Sequence, residues 1–300
     1  MAISITGSSG FVGQNLIPYL ENEGYTINSI SREVLSTFDS KVFKNTEVII
    51  HLAGKAHDLK GTSNADEYYQ VNFELTKRLY DAFLKSDAKK FIFISSVKAA
   101  ADVVGGVLTE GINPDPQTHY GKSKLMAEQY IQNQALPEGK YCYILRPCMI
   151  HGPGNKGNLN LLYKFVQKGV PYPLAAFENK RSFLSVENFC FVVAKIIEKD
   201  ILSGVYQLAD DESLSTNEVV CVLAASLNKE PRLWKVPSNL IKGLAILGDF
   251  FKLPLNTGRL RKLTENYTVS NEKIKSALGI DFPLTTKEGL KQTADSFFKI

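Results

Sequence analysis

Cysteine is scarce in this 300-residue chain, which has four: Cys142, Cys148, Cys190 and Cys221. No two stand in CxxC spacing and none joins a histidine cluster, so the usual zinc ligand sets are excluded and no metal is expected. Four thiols at irregular spacing do not make a disulfide framework, and they read as free thiols of a reducing compartment. Long apolar runs are also missing. The longest, from Phe189 to Ile197, is interrupted by Lys195 and falls far short of a membrane span. Charge of one sign is not in excess. A formal +4 is too mild to argue for nucleic acid, although it suits an anionic small molecule. Internal repeats and low-complexity stretches are absent. The first strand begins by Ala2, which leaves no room for a leader and gives the cytoplasm as the expected location.

What is present is ordinary globular composition, 44% hydrophobic and 22% charged, arranged as alternating strands and helices. Strand-like runs occur at Ile3 to Ile5, Tyr25 to Ile30, Val48 to Leu52, Phe91 to Ile94 and Tyr141 to Leu145. Between them, Phe11 to Glu21, Ala65 to Lys85 and His119 to Gln134 have helical periodicity. Alternation with apolar strands predicts a parallel sheet covered on both faces. After Pro147 the pattern loosens. Helices are expected at Leu159 to Gln167, Val186 to Lys199, Thr216 to Leu227 (with Ser215 as N-cap), Ser238 to Phe251 and Thr285 to Phe298, and a strand at Val205 to Leu208.

Two motifs carry chemistry. Gly7, Gly10 and Gly13 follow a strand and open a helix. Glycines there permit the tight turn, let a pyrophosphate reach the helix N-terminus, and allow close helix–strand packing. The next strand ends at Ser31-Arg32, where NAD-binding chains usually place an acid. A hydroxyl and a guanidinium suit a 2′-phosphate, which points to NADP, although Glu33 follows at once and leaves NAD as the alternative. The second motif is Tyr120 with Lys124 one helical turn on, preceded by Ser95-Ser96 at the end of a strand. An i, i+4 pair shares a helix face. A nearby Lys124 ammonium and the positive nicotinamide ring would both lower the tyrosine pKa and fit it for moving the proton of a reacting hydroxyl, with Ser96 bonded to the same oxygen. Of the four histidines, His51 is expected in the core at a strand end and His151 in a loop near the cofactor; His57 and His119 receive no role. The fold class is therefore α/β, a Rossmann-type doubly wound parallel sheet with a smaller mixed C-terminal substrate lobe. Residues 1–154 with about 183–208 form the dinucleotide-binding domain, and 155–182 with 209–300 the substrate-binding lobe.

Thr6 to Gly13, His51 to Gly54, Val71-Asn72, Ser95-Ser96, Tyr120 to Lys124, Arg146-Pro147, Gly152-Pro153 and Arg181 to Val186 stand in an order that resembles the extended short-chain dehydrogenase/reductases, the nucleotide-sugar epimerase/dehydratase family. The likeness covers nearly the whole chain. Ser95 to Lys98 and Gly157 to Leu159 are most similar to bacterial polysaccharide-cluster UDP-hexose 4-epimerases and 4-keto-sugar reductases. The resemblance implies a catalytic set of Ser96, Tyr120 and Lys124. It implies that Gly7, Gly10, Phe11, Val12 and Gly13 hold the pyrophosphate and that Leu52, Ala53 and Gly54 pass under the adenosine half. Lys124 would hold the nicotinamide ribose, and Pro147 to Ile150 would border the nicotinamide. Arg181, with Asn158 and Arg261, would bind the diphosphate of a UDP-sugar. A homodimer through the 65–85 and 119–134 helices is the family expectation.

Departures from the family narrow the chemistry. Ser96-Val97-Lys98 stands where 4,6-dehydratases carry Thr-Asp-Glu, which disfavours elimination of water. The stretch from Arg32 to Val48 is unusually short, so the usual third strand is expected to be missing or reduced to a stub, and Asp39 is a weak candidate for its adenine contact. Met149 replaces a sugar-facing Asn. A UDP-hexose 4-epimerase is the leading expectation, with an NADPH-dependent UDP-4-keto-6-deoxyhexose 4-reductase as alternative. A non-catalytic NADP-sensing module is remote, because such modules typically lose Tyr or Lys and both are present here.

Overall fold

The computed structural model describes residues 1–36, 40–55, 64–155, 157–251 and 256–297. Its strands are β1 (Ala2–Thr6), β2 (Thr26–Ile30), β3 (Val48–His51), β4 (Lys90–Ile94), β5 (Val107–Leu108), β6 (Tyr141–Pro147), β7 (Met149–His151), β8 (Phe183–Ser185), β9 (Gly204–Leu208) and β10 (Thr268–Val269). The helices are α1 (Phe11–Asn22), α2 (Arg32–Ser36), α3 (Ala65–Tyr68), α4 (Leu75–Lys85), α5 (His119–Gln132), α6 (Asn158–Gln167), α7 (Val186–Glu198), α8 (Thr216–Ser226), α9 (Ser238–Phe250), α10 (Thr257–Thr264), α11 (Glu272–Leu278) and α12 (Thr286–Ser296). Six strands form one parallel sheet in the order β2-β1-β3-β4-β6-β9. β3 and β4 are buried throughout, as strands covered on both faces must be. On one face Leu16 and Leu20 of α1 pack with Phe189 and Val193 of α7. On the other, Leu79 and Phe83 of α4 meet Ala127 and Ile131 of α5. A separate apolar cluster in the C-terminal part joins Leu159, Tyr163, Leu223, Ile241 and Leu290.

The structure refines the elements expected from the sequence. Among the described residues no strand lies between β2 and β3. Helix α2 and a 3-10 turn at Ser40–Phe43 are the elements described there, and β2 is the sheet's edge. Asp39 and His57 lie outside the described residues. The 65–85 helix is continuous but contains a π-helical turn at Tyr69–Glu74. Ser215 caps α8 in a reciprocal box with Glu218. The short pairs β5–β10 and β7–β8 had no detectable pattern in sequence.

Register brings the strands' carboxyl ends to one rim. Thr6 pairs with His51, His51 with Phe93, and Ile94 with Leu145. Two polar seams run under this rim. In the first, Thr76 Oγ1 donates to the Asn72 carbonyl (2.8 Å), so it must accept from His51 Nε2–H (2.9 Å). Nδ1 then accepts from Thr6 Oγ1 (2.7 Å), which itself accepts from the Ala53 amide (3.2 Å). One neutral tautomer satisfies every group. Burial, helped by the charge of Lys124, lowers the His51 pKa to about 3. In the second seam, Glu128 of α5 is fully buried and accepts a fork from Arg146 of β6 (Nε to both oxygens, 3.0 and 3.1 Å), and also a hydrogen bond from Ser95.

Each seam has a measurable consequence. A folded-state pKa far below the unfolded value means that the unfolded chain takes up a proton first as pH falls through about 6.5. Wild type therefore loses stability from this group on acidification, and His51→Gln does not. The stability gap between them in urea unfolding should narrow by about 2 kcal/mol between pH about 7.5 and about 5; a constant gap would mean that His51 is not held neutral. Glu128→Ala strands a buried guanidinium and should cost about 3–5 kcal/mol. Replacing both partners, as Glu128→Met with Arg146→Leu, should recover most of that loss in the same assay.

Candidate active site

The glycine turn is fixed by contact rather than by flexibility alone. Gly7 has φ +76°, and a Cβ there would lie 2.6 Å from the Ala53 amide nitrogen. The turn thus rests directly on the chain leaving β3. A Cβ at Gly13 would come within 2.5 Å of the Gly7 carbonyl, so α1 seats against the turn. Gly10 is the N-cap of α1 and supplies no side chain to its first N–H groups, and no acid occupies the first turn. Amides left open at the positive end of a helix fit a pyrophosphate. Phe11 and Val12 open the helix, half-buried. Leu52 and Ala53 continue from β3, and a Cβ at Gly54 would meet Asn72 Oδ1 and Lys124 Nζ, each at 3.1 Å. The glycine turn, Gly54 and Lys124 therefore converge on one place at the rim. This cradle fits a nicotinamide dinucleotide.

Ser96 follows β4 and caps the 3-10 turn Val97–Ala99, accepting from the Lys98 amide at 3.2 Å. Tyr120 lies in the first turn of α5, which Thr118 caps. Its phenol shares a hydrogen bond with Ser96, and its ring meets Tyr68 edge-on at 6.3 Å. Lys124 is only 4% exposed, donates to the Ile94 carbonyl at 2.9 Å, and stands 4.8 Å from the Phe93 ring centroid. Burial lowers its pKa to about 8, with Glu128 opposing.

The protein surroundings of Tyr120 act in the direction opposite to that expected of Lys124 and a nicotinamide ring. Burial raises its pKa; the Ser96 hydrogen bond acts against that and Tyr68 adds to it. The Lys124 ammonium is held at the end of β4 by the Ile94 carbonyl. His151 is not a loop residue. It ends β7, fully buried, with Nδ1 bonded to Thr293 Oγ1 at 2.8 Å, and burial lowers its pKa to about 4.

Asn72 has a larger part here than its sequence context indicated. It sits in the π turn, fully buried. Oδ1 accepts from the Lys55 amide (2.7 Å), and Nδ2 donates to the Lys55 carbonyl (3.1 Å) and to Ser123 Oγ (3.0 Å). Ser123 in turn donates to the Tyr120 carbonyl at 2.9 Å. A buried asparagine within a helical pattern was the available signal, and the wider π turn is what aims it inward.

The remaining candidates are spread more widely. Ser31 and Arg32 are exposed where β2 passes into α2, and Ser31 Oγ accepts from the Val34 amide at 3.4 Å. Pro147 ends β6 beside buried Cys148. Arg181 exchanges backbone hydrogen bonds with Leu214 (2.9 Å each), and its charge reaches both Cys148 and Tyr267. Tyr267 donates to the Ala101 carbonyl at 2.6 Å, just past the Ser96 turn, which brings Arg181 to that side of the rim. Asn158 is the first residue of α6, and Arg261 is exposed on α10. Lys98 lies 3.9 Å from the Tyr267 ring centroid and donates to the Asp102 carbonyl at 2.9 Å.

A profile of the NAD dependent epimerase/dehydratase family matches residues 3–209. The chain is similar to the UDP-glucose 4-epimerase of Vibrio cholerae, at 32% identity over 99% of this chain and 96% of the relative. It is 28% identical to the N-acetyl-alpha-D-glucosaminyl-diphospho-ditrans,octacis-undecaprenol 4-epimerase of Escherichia coli O157:H7, over 97% and 93% of the two chains. It shares its fold with the UDP-glucuronic acid 4-epimerase from Bacillus cereus solved with NAD, at TM-score 0.75 and 19% identity over 100% and 99%. With a glycine cradle, a Tyr-x-x-x-Lys helix and a match over more than half its length, the chain belongs to the NAD dependent epimerase/dehydratase family.

Proposed function

We propose that the protein inverts C4 of a UDP-hexose, UDP-glucose/UDP-galactose or their N-acetyl forms, in polysaccharide synthesis. The observation that carries this reading is the Ser96–Tyr120 hydrogen bond at the same rim as the glycine turn and buried Lys124. Tyr120 takes the proton of the C4 hydroxyl as the C4–H bond breaks, and Ser96 holds the same oxygen. A nicotinamide dinucleotide held in the cradle would supply the acceptor, and then the donor, for the C4 hydride. Once the 4-keto sugar has turned its other face and the hydride has returned to C4, Tyr120 returns the proton to the oxygen. Gly7, Gly10, Phe11, Val12 and Gly13, with Leu52 to Gly54, Lys124 and Pro147, would hold the dinucleotide, and Arg181, Asn158 and Arg261 the substrate diphosphate. Residues 1–154 with about 183–208 act as the cofactor domain, and 155–182 with 209–300 as the substrate lobe. A cytoplasmic homodimer through the α4 and α5 region is the assembly we infer.

Arg32, exposed at the end of β2, supports NADP over NAD. It also favours a second reading, an NADPH-dependent 4-keto-6-deoxyhexose reductase. A proton NMR time course with UDP-glucose or UDP-N-acetylglucosamine, trace oxidised cofactor and no reductant separates the two. Appearance of the galacto epimer supports epimerisation; its absence, with NADPH consumed on a 4-keto sugar, supports reduction. Tyr120→Phe should lose about a thousandfold in turnover with cofactor binding retained. Arg32→Ala should weaken NADP binding about tenfold and leave NAD unchanged in calorimetry; equal losses for both would remove the 2′-phosphate role.

A further inference from the structure

Helix α9 carries two adjacent apolar stripes, only one of which is buried. Ile241, Ala245 and Gly248 form its buried stripe, against the C-terminal cluster. Leu240, Leu244, Leu247 and Phe251 form a second stripe at i, i+4, i+7 and i+11, and Ile246 and Phe250 lie beyond it. All six are exposed, from 47% at Leu244 to 82% at Phe250. A helix that is apolar nearly all round is normally covered, and a contiguous apolar face of this kind marks an interaction surface. Trp234, the only tryptophan of the chain, is 59% exposed four residues before the helix.

The surrounding charge identifies what covers this face. Among the residues from 229 to 265 whose side chains are described, six are basic (Lys229, Arg232, Lys235, Lys242, Arg259 and Arg261) and three are acidic (Glu230, Asp249 and Glu265). Asp249 accepts from the Thr257 amide at 3.2 Å. Lys235 and Lys242 are exposed. A second copy packed face to face would set this basic segment against itself, since a two-fold contact uses the same patch on both sides. An anionic lipid surface answers both features: the leucine and phenylalanine face enters the acyl boundary while lysine and arginine meet the headgroups. No helix among the described residues is long and apolar enough to cross a membrane, so the contact would be peripheral. We propose that α9 docks the protein on an anionic phospholipid bilayer surface. The inference is independent of which sugar the site takes.

Vesicle co-sedimentation with the full chain tests it. Wild type should bind equimolar phosphatidylcholine–phosphatidylglycerol vesicles about tenfold more strongly than phosphatidylcholine alone, and should be released by high salt. The double variant Leu247→Glu with Phe250→Glu should lose binding about tenfold or more while its thermal midpoint is kept, because neither side chain is buried. Should that variant fold poorly, Lys235→Glu with Lys242→Glu should still reduce anionic binding to the level of neutral vesicles. Wild type remaining in the supernatant with both vesicle types overturns the proposal, as does wild-type binding by either variant. Concentration-dependent self-association that Leu247→Glu with Phe250→Glu abolishes, without vesicle binding, would give the face to a second copy instead.

Discussion

A lysine ammonium buried at the end of a parallel sheet governs the design of this molecule. Taking Lys124 out of water carries a desolvation penalty that must be met by nearby dipoles and charge. The Ile94 carbonyl, one of the last of β4, accepts its hydrogen bond, and the Phe93 ring face lies beside it. One helical turn further on the same inner face of α5, Glu128 is buried too, and Arg146 of β6 neutralises it. Positive and negative charges thus alternate from helix to sheet beneath the rim. Lys124 also presses on His51, whose neutral form is favoured first by burial and then by that charge. A protonated His51 would leave Thr6 facing a donor and would break the bond sequence that ties β1 and β3 to the helix after them.

The irregular backbone lies where this charge needs it. A regular α-helix from Ala65 to Lys85 would satisfy its own amides and carbonyls. The π turn instead turns Asn72 inward, where it serves both backbone groups of Lys55 and reaches Ser123 on α5. Gly54 leaves room for Asn72 and Lys124 to approach the chain closely. The polar rim is therefore organised by the protein's own groups. This is what a site needs if it is to hold charge without reorganising during reaction.

Much of this was legible in the sequence, for reasons that differ by element. The sheet and its covering helices could be read because β3 and β4 are continuous apolar runs and α4 and α5 repeat every three to four residues. The glycine turn could be read because contacts as close as Gly7 on Ala53 leave no room for a side chain. That the described residues hold no strand between β2 and β3 could be read from the short length between Arg32 and Val48. The direction of Lys124 could not be, because i, i+4 spacing says that two side chains share a face but not which of them the interior captures. His151 was misread because its partner, Thr293, is 142 residues away. Pairs such as β7–β8, three residues to a strand, are too short to show any period.

The position of Lys98 bears on the reaction type. In this family's dehydratases an acid stands near here to remove a proton and release water. In this chain the side chain is a cation with its ammonium held by the Asp102 carbonyl and the Tyr267 ring, and Tyr267 is fastened by its hydroxyl to the Ala101 carbonyl. An acid at residue 98 would set a negative charge against the electron-rich face of that ring and lose both contacts. The same arrangement joins the turn after Ser96 to the β-bridge between Tyr267 and Arg181. The residue that departs from the dehydratase pattern therefore also supports the wall bearing the proposed diphosphate-binding arginine, and the chemistry proposed for the site calls on Tyr120 alone to carry the proton.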